Sequence, residues 1–449
     1  MSEEVHAYPK ELARFVQRRW EIPCTVLDRP LLKADEKSDQ EPLPDIQALE
    51  VIMSVCYQAS LLREEERPLR FRLILRDPDA FPPEQGPPAG LHRLRFVDQL
   101  PFNERELRKL SPSVDFYGSL IGVMPDGEKG LAIWGVIHSG QRWIQSLHGG
   151  GKVFQPLPGS LVIHVTNPGR ITVCSGSMVV ATLNGGEITC PAAGVFDSQW
   201  LRSEFASARS EEFALHMEDR KHATRPWAMI DSEFLRMMKK QVIMRMIGRI
   251  RYARHGGTVI CVPEERTAEF LSENPYVRFK YRFIEEEPRR RFRTLLVNIA
   301  NALAESSGTN GNPDRTVGWT EYLASKNQAL SWLDEAIFEW AHFVAGLALV
   351  DGAVVMTRRF ELIGFGGEIS GKIDHVDSVA KAIDPEGANV IHEGTDNVGT
   401  RHNSAYRLCR VLHDVLAMIV SQDGTVQIVK WNNGMVTIWD QVLTSLMDA

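Results

Sequence analysis

The chain has 449 residues, a length typical of two or three domains. Its composition, 43% hydrophobic and 24% charged residues, is that of a soluble globular protein. The net charge of −7 excludes a global basic field that would attract nucleic acid or an anionic membrane. The longest apolar run, residues 343–356, is too short for a membrane span, and the six cysteines form no Cys-x-x-Cys pair. We therefore expect a reduced, cytoplasmic protein without a membrane or nucleic-acid partner.

Residues 1–225 are predicted to form an α+β domain that is rich in antiparallel strands. The first 75 residues are mainly helical in pattern, with Leu49, Ile52 and Cys56 at helical spacing. Between about 115 and 195, short apolar runs alternate with Gly, Asn and Pro turns, which is typical of hairpins in a compact sheet or sandwich. These runs are residues 116–123, 131–138, 161–165, 171–174 and 178–183. No catalytic constellation stands out in this half, so we interpret it as a ligand-sensing or oligomerising module.

Residues 226–449 alternate helical and strand patterns, which predicts an α/β domain with a mixed central sheet flanked by helices. Helices are predicted at residues 230–255, 294–304, about 328–346 and 404–415, and strands at 258–263, after Asp351, at 416–420 and in a hairpin that turns at 432–434. Two long segments interrupt the pattern, an insert at about 264–341 and a loop at 370–398. The loop contains histidines and acidic residues, but their irregular spacing favours a solvated loop over a metal-binding or lid loop.

The first motif of chemical interest is Asp351-Gly352-Ala353, which lies between an apolar helix and a β-branched strand. On its own, Asp-Gly predicts a tight turn with no chemistry. Apolar residues flank the aspartate on both sides, however, and a desolvated carboxylate requires a metal or a hydrogen-bond donor. We therefore expect Asp351 to hold a cation or to polarise a hydroxyl.

The second motif, Gly399-Thr400-Arg401-His402, precedes a predicted helix that begins at Ser404. Glycine permits close backbone approach, Thr and Ser hydroxyls donate hydrogen bonds, and Arg binds phosphate oxygens with two parallel N–H groups. Histidine adds a donor whose charge depends on pH. A simple Ser or Thr helix cap is the alternative explanation, and Ser404 is the residue that would provide it.

Together these two motifs resemble the paired signature of the diadenylate cyclase family, Asp-Gly-Ala and Gly-Thr-Arg-His-Arg-Ala. The resemblance covers about residues 230–440 and includes the Gly-rich turn at 255–260, the glycine-containing strand at 364–369 and the segment 421–425. The chain departs from the family at Asn403, where the family has arginine, and at Gln422-Asp423, where the family has an acidic pair. The N-terminal half resembles the family's sensor domain of the DACNV type.

The resemblance implies that two cyclase domains face each other, each holding one ATP. The 3′-hydroxyl of each ATP then attacks the α-phosphate of the other, which yields cyclic di-AMP and pyrophosphate. Asp351 would bind Mg²⁺ or Mn²⁺ and the 3′-hydroxyl, Gly352 and Ala353 would shape the wall beside the nucleotide, and Arg401 and His402 would share the catalytic role. The expected phosphate-binding residues are Gly399, Thr400, Arg401, His402 and Ser404.

Activity would then require a homo-oligomer, and the N-terminal domain would regulate it in response to an unidentified small molecule. Two alternatives remain open from the sequence. Asn403 and Gln422 also suit a degenerate domain that binds ATP or cyclic di-AMP as a sensor without making the product. The second alternative is a scaffold that shares only its fold with the diadenylate cyclases. The motifs do not distinguish ATP from GTP or from a mixed pair of nucleotides.

Overall fold

The computed structural model describes residues 6–20, 41–87, 90–116, 118–127, 130–140, 157–176, 178–189, 195–422 and 424–440. The chain divides into two compact units between residues 192 and 193. Each unit is built on its own large sheet. At the level of fold class, the predicted strand-rich first part and mixed α/β second part are confirmed.

Within the described residues, the first unit combines three helices with an eight-stranded sheet. The helices are α1 (Pro9–Arg19), α2 (Ile46–Ser60) and α3 (Glu104–Leu110), and a two-stranded ribbon comprises β1 (Arg63–Glu64) and β2 (Arg67–Pro68). The sheet strands are β3 (Phe71–Leu75), β4 (His92–Pro101), β5 (Ser119–Pro125), β6 (Leu131–His138), β7 (Leu161–Asn167), β8 (Arg170–Ser175), β9 (Met178–Asn184) and β10 (Glu187–Thr189). Their order is β10-β9-β8-β7-β3-β5-β6-β4, and only the β3–β5 pair is parallel among the described strands.

One face of this sheet forms the core of the first unit against α1 and α2. Asp45 begins α2 by accepting hydrogen bonds from two backbone N–H groups of its first turn. Leu49, Ile52 and Cys56 are fully buried, as their helical spacing predicts. The expectation of mainly helical structure up to residue 75 is wrong at β3, because the run Phe71–Leu75 pairs between β5 and β7. Such a short apolar run is compatible with a buried strand or with a helix. Only its pairing with neighbouring strands determines which of the two forms.

The second unit contains nine helices and nine sheet strands within the described residues. The helices are α4 (Gln199–Glu204), α5 (Ala206–Lys221), α6 (Ser232–Tyr252), α7 (Thr267–Leu271), α8 (Glu286–Arg289), α9 (Arg291–Ser307), α10 (Trp319–Ala324), α11 (Gln328–Leu347) and α12 (Thr400–Val411). The short strands β11 (Met229–Ile230) and β14 (Thr316–Val317) pair with each other. The sheet strands are β12 (Gly257–Val262), β13 (Val277–Arg282), β15 (Ala353–Thr357), β16 (Leu362–Ile369), β17 (Ser378–Ala382), β18 (Val390–Gly394), β19 (Leu416–Val420), β20 (Val426–Asn432) and β21 (Met435–Trp439).

The order of this sheet is β13-β16-β15-β12-β19-β20-β21-β17-β18. The β12–β15 and β17–β21 pairs are parallel, and the other neighbours are antiparallel. Buried side chains of β12, β15, β19 and α12 form the core on one face. The sheet is therefore mixed, and its central strands β15, β12 and β19 are those that adjoin the two motifs.

Both long segments add structure to the sheet. Segment 370–398 is largely exposed, as predicted, but it is not a loop, because it contains the β17–β18 hairpin, which joins the sheet through β21. The strands are short and only partly apolar, so their pairing could not be read from the sequence. The insert at about 264–341 provides the edge strand β13, the helices α7 to α10 and the first part of α11.

Residues 195–221 belong to the second unit, whereas the sequence pattern predicts a domain boundary after residue 225. Helix α5 is attached by Glu212, which is fully buried and lies 2.7 Å from the Nζ of Lys239 on α6. Helix α4 is attached by Glu204, which forms ion pairs with Arg358 and Lys430. These acidic residues provide the counter-charges for buried or half-buried cations of the second unit.

Candidate functional site at one end of the second sheet

The strand directions bring both sequence motifs to one end of the second sheet. Strands β12 and β15 are parallel and in register from Thr258 and Ala353, so their starting ends lie side by side. Strand β19 is antiparallel to β12 and ends at Val420, which is opposite Gly257. The turns that carry Gly256-Gly257, Asp351-Gly352 and Ser421-Gln422 therefore meet at one end, which we call the motif end.

The start of helix α12 also lies at the motif end. A Cβ built on Gly256 would be 2.7 Å from the carbonyl oxygen of Val420 and 2.9 Å from the Nη1 of Arg401. The Nε2 of His402 lies 3.5 Å from the Oγ of Ser421. Gly256 has a φ of +72°, so a side chain there would be both strained and blocked. The second motif thus packs directly on the turn before β12.

Helix α12 begins four residues earlier than predicted. Gly399 is the N-cap and Thr400 the first helical residue, so Arg401 and His402 lie in the first turn. Ser404 lies one turn into the helix, so its suggested role as a cap is wrong. A glycine N-cap provides no side-chain acceptor, and the first turn contains no acidic residue. The first N–H groups and the positive end of the helix dipole are therefore suited to an anion at the motif end.

Asp351 is exposed, so the expectation of a desolvated carboxylate is wrong. The residue lies in the bend before β15, and burial begins only at Ala353. Gly352 has a φ of +113°, and a Cβ there would be 2.6 Å from the carbonyl carbon of Gly366, so this turn requires glycine. The turn packs tightly on β16 while the carboxylate of Asp351 faces the surface.

A single exposed carboxylate fits the chemistry of Mg²⁺, which takes one or two carboxylates and completes its ligands with water and substrate phosphates. Among the described residues, no group of three or more His, Cys, Asp or Glu side chains could hold a metal ion. An ion bound by Asp351 would therefore take its other oxygen ligands from water and a nucleotide. This finding also covers the described histidines and acidic residues of segment 370–398.

Asn403 is engaged with the chain that precedes α12. Its Nδ2 donates to the carbonyl oxygen of Val398 at 3.0 Å, and its Oδ1 is buried without a hydrogen-bond partner among the described residues. The side chain therefore ties the helix start to the preceding turn. Gln422 is exposed beside Ser421, and Asp423 lies outside the described residues.

Two further cations near the motif end belong to neither sequence motif. The Nζ of Lys280, on the edge strand β13, lies 3.3 Å from the carbonyl oxygen of Asp351. The Nε of Arg251, in the last turn of α6, lies 3.0 Å from where a Cβ on Gly424 would be. Lys280 is 71 residues from Asp351 in the chain, so no sequence spacing could have indicated their contact.

Basic side chains gather at the motif end of a chain whose net charge is −7. Arg251, Lys280 and Arg401 bring three basic side chains to the turns around Gly256, Asp351 and Gly424. Arginine and lysine beside a helix N-terminus form the usual setting for phosphate groups.

The first unit has a polar row on the sheet face opposite its apolar core. Arg72, His164, Thr172 and Thr182 are opposite one another across β3, β7, β8 and β9, and all four are buried. Burial, and secondarily the charge of Arg72, holds the pKa of His164 well below its ordinary value. His164 is therefore neutral at physiological pH.

Part of the first unit matches a known protein family. Residues 38–138 match the family model described as "Probable sensor domain DACNV". No curated protein and no solved structure matches the chain. None of the helices in the described ranges has the length and apolar character that crossing a membrane requires. The prediction of an N-terminal sensor domain of the DACNV type is thus confirmed over residues 38–138, and the match does not extend into the second unit.

Proposed function

We propose that the second unit is a diadenylate cyclase, which condenses two ATP molecules into cyclic di-AMP and pyrophosphate. The observation that carries this proposal is the meeting of Asp351-Gly352 and the Thr400–His402 helix start at one end of the sheet. These motifs are 46 residues apart at their closest in the chain, counted from Ala353 to Gly399. A match to a DACNV sensor model in the same chain supports the proposal, since such a sensor is the partner domain that the resemblance implies.

In this proposal the phosphates bind at the start of α12. Its first N–H groups and the guanidinium of Arg401 neutralise phosphate oxygens, and His402 donates a further hydrogen bond. Thr400 and Ser404 assist with their hydroxyl groups, while Gly352 and Ala353 form the wall beside the nucleotide. Catalysis rests on alignment and charge neutralisation, because no residue has to form a covalent intermediate.

Asp351 is the residue that orients the attacking 3′-hydroxyl. A bound Mg²⁺ or Mn²⁺ would supply neutralisation of the phosphate charge and activation of that hydroxyl. The exposed position of Asp351 is compatible with this role, because the carboxylate must reach a nucleotide held by another copy of the chain. Activity therefore requires self-association of two facing second units, and the first unit regulates their encounter.

A second candidate function is nucleotide sensing without catalysis. Its support is Asn403, which is tied to Val398 and does not replace the arginine of the family at the phosphates. The exposed Gln422 also lacks the acidic group that the family has at that position. A domain of this kind would bind ATP or cyclic di-AMP and pass the signal to its partner domain.

One experiment separates these candidates. Purified full-length protein is incubated with ATP, or with GTP, in the presence of Mn²⁺ or Mg²⁺, and the products are identified by mass spectrometry. Isothermal titration calorimetry with ATP and with cyclic di-AMP is run on the same preparation. Cyclic di-AMP formation supports the cyclase, and binding without product supports the sensor. Neither binding nor product contradicts both and leaves a scaffold.

A further inference from the structure

Lys280 extends from the insert towards the Asp351 turn. Its Nζ lies 3.3 Å from the carbonyl oxygen of Asp351 and 3.6 Å from the Oε1 of Glu368. A Cβ built on Gly366 would be 3.1 Å from both the Cβ and the Cδ of Lys280. The aliphatic part of the side chain thus covers Gly366, and its charged end reaches the motif end.

The ammonium group of Lys280 has neighbouring acceptors, but they do not use all of its hydrogen-bond donors. It has three N–H donors, and its two neighbouring acceptors lie at 3.3 and 3.6 Å. The side chain is 41% exposed, and Glu368 is 51% exposed, so this ion pair is weak and accessible to water. A phosphate oxygen can therefore approach Lys280 without breaking a strong internal bond.

The chemistry of the site calls for such a cation. A triphosphate brings several negative charges, and Arg401 is the cation that the family motif provides at the start of α12. Asn403 adds none, because it is neutral and donates to Val398 at 3.0 Å. Lys280 approaches the same end of the sheet from β13, on the side of Asp351 that is away from Arg401 in the strand order.

We propose that Lys280 is a phosphate-binding residue of the nucleotide site and supplies a positive charge from the side of Asp351 opposite Arg401. This inference rests on the proposed binding of a nucleoside triphosphate at the motif end. It makes the insert, which provides β13, a part of the site. The alternative is that Lys280 only supports the Asp351 turn through the carbonyl oxygen of Asp351.

The test measures binding of 3′-deoxy-ATP with Mg²⁺ to the full-length protein by isothermal titration calorimetry. This nucleotide lacks the attacking hydroxyl and is not converted to product. Lys280→Gln keeps a donor for the Asp351 carbonyl but removes the charge, and Lys280→Arg restores the charge. Arg278→Gln is the matched control, since it lies on the same strand and is 87% exposed. Adenosine serves as the ligand without phosphates.

We expect Lys280→Gln to weaken 3′-deoxy-ATP binding about tenfold, the loss of one charge-assisted contact. Lys280→Arg and Arg278→Gln should stay near the wild type, and adenosine binding should not change. Unchanged 3′-deoxy-ATP affinity in Lys280→Gln, or an equal loss for adenosine, would overturn the inference while leaving the proposed function intact. A wild type that binds no triphosphate would refute the proposed function itself and the inference with it.

Discussion

The buried pair between Glu212 and Lys239 gives the sharpest prediction about stability. Glu212 on α5 is fully buried, Lys239 on α6 is 3% exposed, and the two groups are 2.7 Å apart. Burial raises the pKa of Glu212 and lowers that of Lys239, and the charge of each partner opposes the shift of the other. Removing one partner leaves a buried charge without compensation, which costs about 3–5 kcal/mol.

We therefore predict that Glu212→Leu or Lys239→Met lowers the midpoint of the second unit's thermal transition by about 6–20 °C, at ~2–4 °C per kcal/mol for a unit of this size. The double variant should recover most of the loss, because two apolar side chains replace both charges. Differential scanning calorimetry of the full-length protein provides the measurement. Glu218→Gln, on the same helix, is the control and should leave the transition unchanged, since its pair with Lys221 is exposed. Additive losses in the double variant, or single variants that melt like the wild type, would refute this reasoning.

Three further predictions concern the candidate site, the domain boundary and the dependence of stability on pH. Arg401→Ala should weaken ATP binding about tenfold or more by calorimetry, whereas Arg410→Ala, at the other end of α12, should not. A fragment that begins at residue 195 should unfold cooperatively, and one that begins at 226 should not, because it lacks Glu212; equal circular-dichroism melting curves would contradict this. His216 is 1% exposed, and burial lowers its pKa despite a 2.7 Å contact with Asn301. The unfolded state then binds more protons below about pH 6.5, so urea unfolding should show stability falling between pH 7.5 and 5.5, and His216→Gln should flatten that slope.

Sequence patterns predicted those parts of the fold that local chemistry determines. The hairpin at 432–434 follows from Asn433 and Gly434, which adopt φ values of +48° and +87° as a tight two-residue turn requires. Strand β19 coincides with its predicted range, and α6 follows its apolar stripe. These elements need only a few neighbouring residues to be recognised.

The remaining features depend on contacts between distant residues. Lys239 and Arg245 are charged yet buried on α6, because acidic residues of other helices neutralise them, and the periodicity of α6 alone gives no sign of this. The position of Lys280 beside Asp351 likewise depends on the pairing of β13 with β16. For the candidate site, the two motifs predicted which residues belong together. The exposure of Asp351 was not predictable from its apolar neighbours, because Val350, directly before it, is itself 37% exposed.

The proposed cyclase is tested most directly by the product formed by the Asp351→Asn variant. Full-length wild type, Asp351→Asn and the exposed control Asp314→Asn are incubated with ATP and Mn²⁺, and cyclic di-AMP is quantified by mass spectrometry. We predict product from the wild type and from Asp314→Asn, none from Asp351→Asn, and the same melting temperature for all three proteins. Cyclic di-AMP from Asp351→Asn at the wild-type rate, or no product from the wild type, would contradict the account.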